Sequence, residues 1–128
     1  MNVITYGTFD LLHIGHLAML ERLRSLGGHL TVGVSTDAFN RQKGKSAILS
    51  YAERARLVGA LRCVDRVIGE HSWEQKRDDI QKHAIAIFGI GDDWTGKFDF
   101  LKDQCRVIYL SRTPDISTNI IKQRIRPV

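Results

Sequence analysis

The chain alternates between short continuous apolar runs, the pattern of strands covered on both faces, and stripes at the 3.6-residue period of amphipathic helices. Residues 2–6 read as a first strand that turns through Gly7 into a helical pattern. In that helix Met19, Leu20, Leu23 and Leu26 recur on one face, Glu21, Arg22 and Ser25 fall opposite, and Gly27-Gly28 ends it. Residues 29–35 are a second strand, and residues 36–40 read as a short connection into a basic loop. Ser50-Tyr51-Ala52-Glu53 spells a capping box, predicting a helix to about residue 62 with Leu57, Val58 and Leu61 facing inward. A third strand over residues 65–69 follows. Ser72-Trp73-Glu74-Gln75 spells a second capping box, for a helix to about residue 83. Residues 84–90 are apolar enough for a central strand. A polar turn over residues 91–97, a short helix, a last strand over residues 106–110 and a final helix capped by Ser117, with Ile120, Ile121 and Ile125 on its face, complete the pattern.

Five strands with intervening helices predict an α/β fold: a single-domain, Rossmann-like, doubly wound five-stranded parallel sheet with helices on both faces and right-handed crossovers. The 128 residues are one domain's worth, with no linker, repeat or low-complexity segment. In such sheets ligands bind outside the carboxyl ends of the strands, where strand order reverses. The turn after the first strand is the natural switch point. The basic loop, the Asp92-Asp93-Trp94 turn and the loop at Arg112 should gather at the same rim.

Composition narrows the class. The chain is 43% hydrophobic and 26% charged, a globular balance, and it has no run long enough to cross a bilayer and no signal-peptide pattern. This predicts a cytoplasmic protein without membrane partners. Cys63 and Cys105 are far apart in sequence and read as reduced, buried small side chains. The net charge of +5 suits nucleic acid, an anionic membrane or a small polyanion. Between Arg41 and Arg62 stand six basic residues and one acid, so the excess is focused. It falls on a loop (Arg41, Lys43, Lys45) and a helix (Arg54, Arg56, Arg62), without the interleaved aromatics of a single-strand-binding surface.

The chemistry concentrates in Gly7-Thr8-Phe9-Asp10-Leu11-Leu12-His13-Ile14-Gly15-His16. A strand turning over glycine into a helix aims unpaired N–H groups and the positive end of a helix dipole at one small volume. His13 and His16, three residues apart, reach the same side of the first turn, and Gly15 lets a ligand approach the backbone. Together these read as a phosphate site. The same pair could bind zinc, but zinc needs further ligands and the cysteines lie far away. Familiar nucleotide signatures are absent. Gly44-Lys45-Ser46 ends like a P-loop, but Phe39 stands where its first glycine belongs, and Gly89-Ile90-Gly91 lacks a third glycine and sits on the fourth strand, not the first. Trp73 and Trp94 read as packing residues outside the site, and Asp93 as a group that could orient a cation or ligate metal.

Gly7-Thr8-Phe9-Asp10 with His13-Ile14-Gly15-His16, the lysines of Gln42-Lys43-Gly44-Lys45, and Arg112-Thr113 with Ile116-Ser117-Thr118 resemble the cytidylyltransferase branch of the HxGH nucleotidyltransferases. Trp73-Glu74-Gln75-Lys76 and the stretch from Gly91 to Phe100 resemble segments of the small bacterial glycerol-3-phosphate cytidylyltransferases, so the likeness runs through nearly the whole chain. The resemblance implies transfer of CMP from CTP to sn-glycerol 3-phosphate, giving CDP-glycerol and pyrophosphate, with Mg2+ held mainly through the CTP phosphates. It implies that Thr8, Phe9, His13, His16, Lys45, Arg112, Thr113, Ile116, Ser117 and Thr118 bind the nucleotide. His13, His16, Lys45 and Arg112 would act on its phosphates, and Lys43 and Lys76 would face the acceptor. It also implies a homodimer, no dedicated protein metal site, and a product destined for teichoic acid or a capsule. Pro114-Asp115 departs from the glycine that relatives place before Ile-Ser-Thr.

The implied reaction makes modest demands. A phosphate monoester is mostly a dianion at neutral pH, so attack on the α-phosphorus needs no general base. What remains is alignment and stabilisation of charge on the α-phosphate and the leaving pyrophosphate. Adenylyl transfer, other phosphorylated alcohols as acceptors, and nucleotide or nucleic-acid binding without turnover remain the alternatives.

Overall fold

The computed structural model describes residues 1–111. Five strands, β1 (Asn2–Gly7), β2 (His29–Ser35), β3 (Arg66–Glu70), β4 (Ile85–Gly91) and β5 (Arg106–Leu110), pair in parallel in the order β3-β2-β1-β4-β5. The first two connections build the sheet outward from β1 in one direction; β4 then returns to the other side of β1. Strand order therefore reverses between β1 and β4, the switch point of a doubly wound, Rossmann-like sheet.

The central strands β1, β2 and β4 bury both faces, and the edge strands β3 and β5 are only partly buried. On one side Val3, Leu30, Val32, Val34 and Ile87 pack with Leu20 and Leu23 of α1 (Ile14–Gly27). Val58 of α3 (Tyr51–Gly59) completes that layer. On the other side Ile4, Tyr6, Ile85, Phe88 and Ile90 meet Ile80 of α4 (Gln75–Lys82), with Phe98 and Leu101 from the turns after β4. Gly33 matters to the second layer: a Cβ there would lie 2.4 Å from the Tyr6 ring, so a side chain would push Tyr6 off the sheet. Gly28 ends α1 at φ 89°, the left-handed cap that glycine adopts without strain.

Several boundaries differ from expectation. Residues 36–40 are not a plain connection: Thr36 caps a short helix, α2 (Asp37–Gln42), by accepting from the Phe39 N–H. The capping box at Ser50 and Glu53 forms as read, but α3 stops at Gly59, and Leu57 is 45% exposed. The inward stripe there is Arg54, Val58 and Leu61; an arginine heads it, which hid its phase. Ser72 and Gln75 exchange the reciprocal bonds of the second box, while the regular helix starts only at Gln75. Cys63 and Cys105 are free but half-buried at the margins of the two apolar layers. The expected final helix lies outside the described residues, as do Arg112, Thr113, Ile116, Ser117, Thr118 and the Pro114-Asp115 pair. Among the described residues no helix is long and apolar enough to cross a membrane.

Candidate active site at the switch point

The loops that leave β1, β2, β3 and β4 enclose a cleft of about 550 Å³. Thr8, Phe9, His13, His16, Lys43, Lys45 and Lys76 all line it, so the expected site residues within the described chain converge. Trp73 and Trp94, read from sequence as packing residues, line it as well, their rings 6.0 Å apart. The described chain ends at Ser111, past the same end of β5, its carbonyl accepting from Arg22 of α1 at 2.7 Å.

The loop after β1 is held in an unfavourable shape. Phe9 and Leu11 both adopt left-handed backbone, φ 53° and 49°, at a cost of order 1–3 kcal/mol each for residues with a side chain. Two buried groups keep it there. The Asp10 carboxylate, 4% exposed, accepts from the Ile48 and Leu49 N–H groups at 2.8 and 3.1 Å. The Arg54 guanidinium, fully buried, donates to the carbonyls of Thr8, Ser35 and Leu49 and to the Asp37 carboxylate, at 2.8–3.0 Å. Arg54 thus joins the ends of β1 and β2 to α2 and α3. It belongs to the architecture of the rim, not to the exposed basic patch expected from the sequence.

His13 is the N-cap of α1 and His16 its third residue, and they form a capping box made of imidazoles. His13 Nδ1 accepts from the Gly15 N–H at 3.0 Å, and His16 Nδ1 accepts from the His13 N–H at 3.2 Å. The rings stack with centroids 3.9 Å apart, and the edge of Phe9 meets His16 at 5.5 Å. Because each Nδ1 accepts, the proton of each neutral ring sits on Nε2. His13 Nε2 is buried and finds no partner among the described residues. The helix terminus therefore does not leave the Gly15 N–H unpaired for a ligand, contrary to expectation; the His13 ring takes that N–H, and the ring protons on Nε2 are the donors that remain.

Burial lowers both imidazole pKa values, and that of His16 falls from 6.5 to about 4, with the neighbouring His13 adding to the fall and Asp10 opposing it. Both rings are neutral donors at pH 7. An unfolded chain takes up the His16 proton near pH 6.5, the folded chain only near pH 4, so acid favours the unfolded state across that window. The His16 contribution to stability is present above pH 6.5 and is lost progressively towards pH 4. It amounts to up to about 3 kcal/mol, less what the open cleft screens. Thermal melts at pH 7 and 4.5 are expected to show a smaller acid-induced drop in His16→Gln than in the wild type. Equal drops would place the acid sensitivity elsewhere.

Opposite the histidines, two lysines share one carboxylate. Glu70, the last residue of β3 and 3% exposed, accepts from Lys76 Nζ at 2.6 Å through Oε2. Its Oε1 accepts from Ser35 Oγ at 2.7 Å and lies 3.9 Å from Lys43 Nζ, which donates to Ser35 Oγ at 3.0 Å. Aromatic faces surround the ammoniums. Lys43 lies over Phe39 at 4.4 Å, and Lys76 over Tyr6 at 4.6 Å and Trp73 at 4.9 Å. Lys45 stands exposed at the mouth, after the left-handed Gly44. Sequence reading passed over Glu70, whose place at a strand's carboxyl end was the available signal.

No group of three or more His, Cys, Asp or Glu side chains suited to a metal ion exists among the described residues. Three carboxylates line the cleft: Asp10, whose two oxygens accept from backbone N–H groups, Glu70, which accepts from Ser35 and Lys76, and Asp93. That donor set fits a Mg2+ ion that takes most of its oxygen ligands from phosphates and water and few from protein.

The sequence matches the model of the family described as cytidylyltransferase-like over residues 4–124. It is 58% identical over 123 residues to a glycerol-3-phosphate cytidylyltransferase of Bacillus subtilis, covering 96% of this chain and 95% of that one. It is 51% identical over 123 residues to a protein of the same name from Staphylococcus aureus, covering 96% and 93%. The fold superposes with a TM-score of 0.75 on the crystal structure of a lipopolysaccharide core biosynthesis protein from Thermoplasma volcanium, at 27% identity, over 88% of this chain and 98% of that one. With the imidazole pair at the switch point and the match running almost end to end, this chain belongs to the cytidylyltransferase-like family.

Proposed function

We propose that this protein transfers CMP from CTP to sn-glycerol 3-phosphate, releasing pyrophosphate and CDP-glycerol. The observation that carries the reading is identity above one half, over nearly the full chain, with two enzymes of that one name. The cleft supplies what the chemistry asks. An oxygen of the acceptor's phosphate forms a bond to the α-phosphorus of CTP as the bond from that phosphorus to the pyrophosphate oxygen breaks. The His13 and His16 Nε2–H groups donate to the negative charge that builds on the phosphates, and Lys45 at the mouth adds a point charge. Lys43 and Lys76 hold the acceptor phosphate in line. Thr8 and Phe9 contribute the β1 wall of the nucleotide site, and Arg112, Thr113, Ile116, Ser117 and Thr118 bind the same nucleotide. Mg2+, bound on the triphosphate, supplies neutralisation of the leaving group's charge.

Pyrophosphate release measured across a panel of nucleotides and phosphorylated alcohols tests the reading. CTP with glycerol 3-phosphate is expected to be the best pair. A better ATP pair, a better acceptor such as ethanolamine phosphate, or salt-sensitive oligonucleotide binding without any release would overturn it. Within the active pair, Lys43→Ala and Lys76→Ala are expected mainly to raise KM for the acceptor. Lys45→Ala and Arg112→Ala should change KM for CTP or kcat. Titrating each substrate in turn exposes a reversed assignment.

The reading places the whole chain, residues 1–128, in one domain that works in the cytoplasm, where nucleoside triphosphates are held. It includes a homodimer, for which exposed Ile14 and Leu57 offer apolar surface. A solution mass equal to the 14.5 kDa of one copy would contradict the dimer.

A further inference from the structure

A buried carboxylate is out of place in a site for a phosphate dianion unless it acts on the cations there. Glu70 occupies that position: its two oxygens face Lys76 on α4 and, beside Ser35 of β2, Lys43 at the end of α2. We propose that Glu70 is a positioning residue for the acceptor, holding the Lys43 and Lys76 ammoniums at a fixed spacing in the cleft until the incoming phosphate replaces it as their partner. The inference rests on the reading of these lysines as acceptor contacts.

Three observations support it. First, Lys76 is 1% exposed and Lys43 only partly exposed, so without a carboxylate between them two ammoniums would repel each other in a poorly solvated space. Second, apart from Ser35 Oγ, which accepts from Lys43 and itself donates to Glu70, the enclosure supplies ring faces, from Phe39, Trp73, Tyr6 and Phe98, which attract a cation but do not fix its hydrogen bonds. The Tyr6 hydroxyl is turned away, donating to Asp79 at 2.8 Å. Third, Glu70 lines the cleft instead of being sealed beneath it, so a ligand that reaches the lysines also meets the carboxylate. A dianion carries more charge than the carboxylate and competes for the same donors.

The charges around Lys43 make the role readable. Burial pushes its pKa down, Glu70 opposes that, and Lys45, Lys76 and Arg54 push it down further. Removing the carboxylate's charge while keeping its shape should loosen both ammoniums and make acceptor binding fail as pH rises.

The test is steady-state kinetics of the wild type, Glu70→Gln and Glu70→Asp with CTP and sn-glycerol 3-phosphate between about pH 7 and 9. In Glu70→Gln the acceptor KM is expected to rise about 10- to 100-fold, the range carried by a lost hydrogen bond between charged groups, and to rise further towards pH 9. KM for CTP and kcat should stay within about twofold. Glu70→Asp keeps the charge but loses a methylene of reach, so its acceptor KM should rise several-fold with the wild type's pH profile. An unchanged acceptor KM in Glu70→Gln, or KM values for both substrates raised together at every pH, overturns the inference. If Glu70→Gln does not fold, an unchanged acceptor KM in Glu70→Asp does the same. A wild type that makes no CDP-glycerol removes the acceptor reading and this inference with it; an active wild type with indifferent variants removes the inference alone.

Discussion

His16→Ala is expected to lower kcat by ~10²–10³-fold while the protein remains folded, the loss typical of removing one preorganised donor from a site where charge develops. The structure shows why the effect has two parts. The ring accepts the His13 N–H through Nδ1, so alanine also removes half of the α1 capping box, at about 1 kcal/mol of stability. The other half, the outward Nε2–H, is the part that chemistry needs. Glutamine separates them, because it is a residue that a capping box uses at this position, accepting the N-cap N–H through its side-chain oxygen. His16→Gln should melt close to the wild type and still turn over slowly, since its amide nitrogen cannot stand where Nε2 stands. Measured kcat near normal in His16→Ala would take His16 out of the mechanism. Recovery of kcat in His16→Gln would show that the cap, and not the outward donor, is what turnover requires.

Arg54→Met is expected to cost about 3–5 kcal/mol in urea unfolding, because it leaves three carbonyls at the rim without their donor, at about 1–3 kcal/mol for each buried group left unsatisfied. That is a large share of the 5–15 kcal/mol typical of a whole domain. The loss is large because the guanidinium serves four acceptors on four segments: the Thr8, Ser35 and Leu49 carbonyls and the Asp37 carboxylate. Methionine fills much of the space but leaves those carbonyls without a donor. Arg54→Lys keeps the charge, yet a single ammonium cannot reproduce a planar fork spanning several partners, so it should recover only part of the loss. The Thr8 carbonyl connects this effect to function. Released, the strained Phe9–Leu11 turn is free to relax, and the folded fraction should show a raised KM for CTP. A loss under about 1 kcal/mol in Arg54→Met would mean that this network is dispensable.

These two residues also show where sequence reading succeeds and where it stops. His13 and His16 were legible because their chemistry is local: a glycine-bounded turn, a helix start and a three-residue spacing put both rings on one side of one turn. Arg54 was misread because its partners lie up to 46 residues away, on segments with no sequence sign of meeting it. A charged residue on a helix is usually solvated, so the inward phase of Arg54, Val58 and Leu61 was masked by its first member. Trp73 and Trp94 failed for a related reason. An aromatic side chain reads the same in a core as in a cleft wall, and only the folding of α4 and the turn after β4 against the sheet shows which it is.

By itself the sequence determined the strands and most helices, the parallel topology and the glycine-bounded turn that carries His13 and His16, because periodicity, capping residues and glycine positions act through neighbours along the chain. The tertiary structure alone decided which nitrogen of each imidazole carries the proton, that Arg54 bolts the rim together, and that Glu70 stands between Lys43 and Lys76. Each of those outcomes is a hydrogen bond or ion pair whose direction or partner is set by burial, and burial is fixed only when distant strands come together to form the sheet.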